Sequence, residues 1–204
     1  MFEAVFEVTA LSRQGLLLAA GLGHAFQLPA MSIAARKLGW SGPPDRADES
    51  EINRRINRVL VITVPALGGA VFSILLANLE GLDRSPLLRG LSVLLGLWAA
   101  LVLYRHFEPA SRRFARLRVE IVLLLSGLGL LVCWNSHEVQ SSALGSELCV
   151  ALGCLYAART WIQLGYYRRF WPRGALMRAG QWALVALFSM QSAAYLWVAA
   201  GGVS

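Results

Sequence analysis

Charge is what this chain has least of. Only 15% of its 204 residues are Asp, Glu, Lys or Arg, against 56% that are hydrophobic, whereas a soluble domain carries about a quarter charged residues. So little polar material cannot cover a water-facing surface, which excludes an ordinary soluble fold. Acidic residues are the scarcer sign, twelve against nineteen basic ones. By position, all twelve fall in loops or near the ends of apolar runs. Proton-coupled transporters and rotary stators need a carboxylate at membrane depth to load and release protons, so the sequence argues against both. Three cysteines with no Cys-x-x-Cys pair leave no dithiol couple for disulfide exchange. Cys133 and Cys149 lie near the same ends of two apolar runs, where a bridge is geometrically open; buried apolar thiols are the simpler expectation. The three histidines, at 24, 106 and 137, are too scattered for a catalytic metal. Ser126 sits among glycines without a histidine of matching depth to serve as its base. The expectation is a non-enzymatic protein with no catalytic residues and no metal site.

What the chain does have is apolar runs divided by arginine. A helix needs about 20 residues to span the hydrocarbon core, and runs of suitable length occupy 15–35, 59–79, 87–104, 148–167 and 179–201. A further run, 121–134, reaches about 118–136 if Arg118 and Glu120 snorkel at the boundary. These predict an all-α polytopic membrane protein, six transmembrane helices in a single membrane domain. Fifteen of the nineteen basic residues lie in 36–58, 105–118 and 168–178. By the positive-inside rule those stretches are cytoplasmic and both termini face outward. The formal net charge of +7 is then matched to anionic lipid headgroups on the cytoplasmic face, not to nucleic acid. The compact architecture suits a bacterial cytoplasmic (inner) membrane.

The connections are uneven. Residues 1–14 carry Glu3 and Glu7 and no basic segment, so no cleavable signal peptide is expected. Ser41-Gly42-Pro43-Pro44 is a break, and Asp48 and Ser50 are N-cap candidates for a second helix that begins near 49, well before the membrane. Pro109 suits the first turn of the fourth helix. The outer connections, 80–86 and 135–147, are short. Gly15-x3-Ala19-x3-Gly23, Ala66-x3-Ala70 and Ala179-x3-Ala183 are small-residue patterns that permit close backbone approach, within the chain or between subunits. Trp134 and Trp197 suit the outer interface and Trp171 the inner one.

Polar groups at membrane depth need a reason. His24 stands mid-run in Gly21-Leu22-Gly23-His24-Ala25-Phe26-Gln27-Leu28-Pro29, with Gln27 one turn away. Pro29 has no N–H, which frees a carbonyl near residue 25 for a polar partner. One reading is an imidazole hydrogen-bonded across helices to Gln181, Gln191 or Ser126. The other is ligation, with the small residues leaving room for a neighbouring helix or a flat ligand. Ala20-Gly21-Leu22-Gly23-His24 resembles, over five residues, the Ala-x-x-x-His element of bacterial light-harvesting polypeptides, which have a single span. That resemblance implies a tetrapyrrole, haem or chlorophyll, held by His24.

Arg159 is the second such group. It sits in Tyr156-Ala157-Ala158-Arg159-Thr160-Trp161, about two turns before Arg168. It reads either as a snorkelling, helix-packing arginine or as an anion site or pore-lining charge completed by Thr160, Gln163 or Gln181. The leading expectation is a small channel or transport component for an ion or anionic ligand, working as a homo-oligomer or with other membrane subunits. The alternatives are an accessory subunit of an electron-transfer or light-harvesting complex built on His24, and a purely structural partner.

Overall fold

Ser85-Pro86 opens a helix as those two residues dictate. Proline has no N–H to leave unsatisfied and its fixed φ suits the first helical position, while the Ser85 hydroxyl accepts the Leu88 N–H at 2.9 Å. The computed structural model of the chain describes residues 13–26, 47–106, 110–166, 168 and 175–201, and all its regular elements are helical. The first helix, α1, is described over 13–26. It is followed by α2 (Ala47–Ala77), a 3-10 turn (Leu79–Gly81), α3 (Pro86–His106), α4 (Ala110–Trp134), α5 (Ser136–Ser141), α6 (Ala143–Gly165) and α7 (Ala175–Ala200). Three segments are long and apolar enough to cross a membrane: Pro86–Tyr104, Ala143–Gly165 and Arg178–Ala200. Ile62–Ala77 and Val119–Trp134 are shorter apolar helical segments. Gln27, Pro29 and Trp171, the 1–12 segment and the caps proposed at Asp48 and Ser50 lie outside the residues or side chains described.

The apolar surface mostly points away from the protein. Only 28% to 33% of an 18-residue apolar stretch in each of the three long spans is buried, and Ile62, Leu103, Trp161 and Met190 project outward. Outward apolar faces of this extent fit a lipid surrounding. Since lipid tails are as apolar as leucine, helix association there depends on close packing and hydrogen bonds more than on burial of oily side chains.

Residues 21–134 form one compact unit and residues 1–20 with 135–204 form another. In the first unit α1 and α4 run antiparallel with their backbones touching. A Cβ added at Gly129 would lie 2.6 Å from Ala25 N and 2.6 Å from Gly21 O, and one at Gly21 would lie 2.6 Å from Cys133 Sγ. Ser126 Oγ donates to the Ala25 carbonyl at 2.7 Å. That carbonyl is the one whose helical donor would be residue 29, a proline. Leu131 of α4 fills the space over Gly90 of α3, Leu94 of α3 fills the space over Gly127, and the Trp98 ring lies against Gly68 of α2.

Glu120 departs from its expected place. The sequence reading put it at a helix end, snorkelling to the boundary. Instead it is the eleventh residue of α4 and only 1% exposed. Leu124, Leu128 and Val132, each four residues further on, are also buried. Glu120 therefore continues the inward stripe of α4, and its face of the helix, not its depth, decides its exposure.

In the second unit the 135–147 connection is itself structured. Ser142 donates its hydroxyl to the Glu138 carbonyl at 2.6 Å and accepts the Gly145 N–H at 3.0 Å, joining the end of α5 to the start of α6. This cap starts α6 at Ala143, five residues before the apolar run expected from 148. Ser142→Ala is expected to cost about 1 kcal/mol of unfolding free energy in detergent; an unchanged transition would mean that the cap contributes nothing. Arg13 Nη1 donates to the Gly201 carbonyl at 2.7 Å, placing a cation at the carbonyl end of α7 where its dipole favours one.

Candidate functional site

The richest polar constellation in the described residues lies along the antiparallel seam of α6 and α7. Its register is fixed at three levels. Ser146 Oγ donates to Ala199 O at 3.3 Å near the start of α6. Ser192 Oγ donates to Gly153 O at 2.9 Å in the middle. Gln163 Nε2 donates to Gln181 Oε1 towards the other end. Gly153 makes the approach possible, since a Cβ there would lie 2.6 Å from Leu196 Cγ.

An aromatic group brackets the middle level, with Phe188 and Tyr195 on either side of Ser192 along α7. Tyr156 is 6.1 Å, centroid to centroid, from both Phe188 and Tyr195, tilted on the first and stacked on the second. All three are buried. The guanidinium carbon of Arg159 lies 5.8 Å from the centre of the Phe188 ring, within reach of the ring's negative face. An arginine stacked in this way keeps its charge beside the seam even though it belongs to an apolar span.

The four residues nominated for an anion site are therefore distributed along one seam. Arg159 is at the aromatic group, and Gln163 and Gln181 pair one turn beyond it. Thr160 donates its hydroxyl proton to the Tyr156 carbonyl of its own helix at 2.9 Å, so only its oxygen lone pairs face a ligand. Gln191, named from the sequence only as a candidate partner for His24, belongs here. It lies on the Phe188–Tyr195 stripe of α7, 3% exposed, with no hydrogen-bond partner for either amide atom among the described residues. The signal that marks it is spacing: Phe188, Gln191 and Tyr195 recur at three and four residues, the period of a single helical face.

His24 is elsewhere, on α1, and 1% exposed. Gly21 and Ala25, one turn to either side of it, are in contact with the α4 backbone. Of the two occupants that the small residues allow, the neighbouring helix fills the space on this side. Gln27 lies outside the described residues. Of the bonding partners proposed for His24, Ser126 serves the Ala25 carbonyl and Gln181 pairs with Gln163. Cys133 and Cys149 are not bridged to each other, and Cys149 is buried while Cys154 is exposed. Among the described residues no three His, Cys, Asp or Glu side chains gather as a metal site would require.

The small-residue patterns also find their places. Gly15 and Ala19, Ala66 and Ala70, and Ala179 and Ala183 are all exposed, while the backbone contacts inside the units use Gly21, Gly129, Gly145 and others. No protein family, curated protein or solved structure matches this chain.

Proposed function

We propose that the chain is a six-span protein of a bacterial cytoplasmic membrane, with both termini outside, and that it is a non-enzymatic channel or transport component for an anion. The antiparallel pairs α1/α4, α3/α4 and α6/α7 support the alternation of spans, and the Arg13–Gly201 bond supports termini on a common side. The single observation that carries the function is Arg159. It holds a permanent positive charge in an apolar span, stacked on Phe188, with the Gln163–Gln181 pair one turn away. Neither glutamine adds charge, α7 contains no acidic residue, and α6 contains only Glu147, near its start. At this level α6 and α7 themselves contribute only positive charge, which favours an anion. The outward rows at Gly15/Ala19, Ala66/Ala70 and Ala179/Ala183 support association with further copies or other membrane subunits through close helix contacts.

The test is chloride efflux from vesicles holding the purified protein. Arg159→Gln is expected to lower the flux at least about tenfold, since a hydrogen bond to a charged group is worth roughly 1.5–3 kcal/mol and 1.4 kcal/mol is a factor of ten. Absence of flux through the wild-type protein, or equal flux through the variant, would sink the reading.

A further inference from the structure

Gln191 is the residue that the seam does not explain by its own packing. A carboxamide offers two N–H donors and an acceptor oxygen with two lone pairs, and burying it without partners is less favourable than burying an apolar side chain of the same shape. Its neighbour Ser192 is also buried, but bonds Gly153 O. Gln191 has no such partner among the described residues.

Its surroundings indicate what would satisfy it. Phe188 and Tyr195 are seven residues apart, about 10.5 Å along the helix axis, and Tyr156 is equidistant from both. Tyr156 therefore stands across the seam at the level of Gln191. Phe188 is one turn from Gln191, about 4.5 Å along the axis, and carries the Arg159 guanidinium over its ring. A buried carboxamide and a half-buried permanent cation are thus brought to adjacent levels of the α6–α7 seam, beside aromatic side chains and with no acidic residue on α7.

We infer that Gln191 is the second donor of an anion site on this seam, and that the ligand is a small, partly dehydrated monovalent anion of the chloride type. Arg159 supplies the charge, and the Gln191 amide N–H groups supply directional hydrogen bonds. A water accompanying the anion gives the Gln191 carbonyl its donor. The inference rests on the anion reading above and narrows its substrate class. Depth selects a free anion over a lipid headgroup. Gln191 lies about 13 Å from Ala200 and about 20 Å from Arg178 along α7, inside a hydrocarbon core roughly 30 Å thick, whereas headgroup phosphates stay outside it.

The experiment is thermal unfolding of the full-length protein in detergent as chloride replaces gluconate, for wild type, Gln191→Leu, Gln191→Met and Arg159→Gln. Ligand binding to the folded state raises the transition temperature by mass action. The expected result is a chloride-dependent rise in wild type, abolished in Arg159→Gln and moved to about tenfold higher chloride in both Gln191 variants. Without chloride the Gln191 variants should be as stable as wild type or more so, because an unsatisfied amide has been removed; this separates ligand binding from a structural role, and two variants guard against one that misfolds. A wild-type chloride midpoint in both Gln191 variants, with the response lost only in Arg159→Gln, overturns the role of Gln191 and leaves the anion reading standing. Stabilisation by short-chain phosphatidylglycerol but not by chloride overturns the small-anion assignment in favour of a headgroup. No response to either, together with no chloride efflux, overturns both readings.

Discussion

Gly129→Ala is expected to undo the docking of α1 on α4, at a cost near 3 kcal/mol or above. The added methyl would meet Ala25 N, Gly21 O and, at 3.0 Å, Ala25 Cα. All three are backbone atoms, so no side-chain rotation relieves the conflict and the helices have to separate. Overpacking typically costs about 1–3 kcal/mol, occasionally more, and an obstacle that cannot turn aside belongs at the upper end. Separation also lengthens the 2.7 Å bond from Ser126 to the Ala25 carbonyl, which has no helical donor to fall back on. Lipid offers little compensation, because the exposed leucines exchange one apolar neighbour for another. Gly96→Ala is the natural control. Nothing lies within 4 Å of its Cβ position, and a helical Gly→Ala exchange gains roughly 0.5–1 kcal/mol. Equal unfolding free energies for the two variants in a detergent titration would show that the α1–α4 contact is not made.

A comparable loss is expected for Gly145→Ala. Its Cβ would fall on Val139 O, Cα and C, again backbone, where α5 folds back against α6. The Gly145 N–H is also the donor to Ser142 Oγ, so pushing the two segments apart removes the cap along with the contact. The expected cost is about 3 kcal/mol, against about 1 kcal/mol for Ser142→Ala, which removes the cap alone. The double variant should cost less than the sum, since both changes share one hydrogen bond. Hydrogen exchange over residues 135–147 is the local readout. Protection in Gly145→Ala no weaker than in Ser142→Ala would refute the backbone contact.

These two glycines illustrate what the sequence can and cannot convey. Apolar runs and arginine-rich connections are legible because length and charge are properties of a segment on its own. The freed carbonyl near residue 25 was legible for the same reason: Pro29 lacks a donor wherever the chain goes, and Ser126 supplies one. Facing is different. Glu120 was placed by depth and expected at the boundary, but its four-residue spacing with Leu124 and Leu128 turns it inward. The small-residue patterns picked out by spacing alone lie on outer faces apart from the half-buried Gly23, while Gly129 and Gly145, in none of those patterns, make tight contacts. The sequence groups Thr160, Gln163 and Gln181 with Arg159 as polar residues that could complete an anion site around its charge. Tyr156, Phe188 and the level of Gln191 emerge only once the register of α6 against α7 is known.

That register has a mechanical consequence. A slide of α7 by one turn, about 5.4 Å, would carry Leu196 off Gly153 and onto a neighbouring turn of α6 occupied by Cys149 or Tyr156. It would break the bonds at Ala199, Ser192 and Gln181 at once. The pair therefore resists shear along its whole length, and any displacement of α7 along α6 has to break all three bonds together.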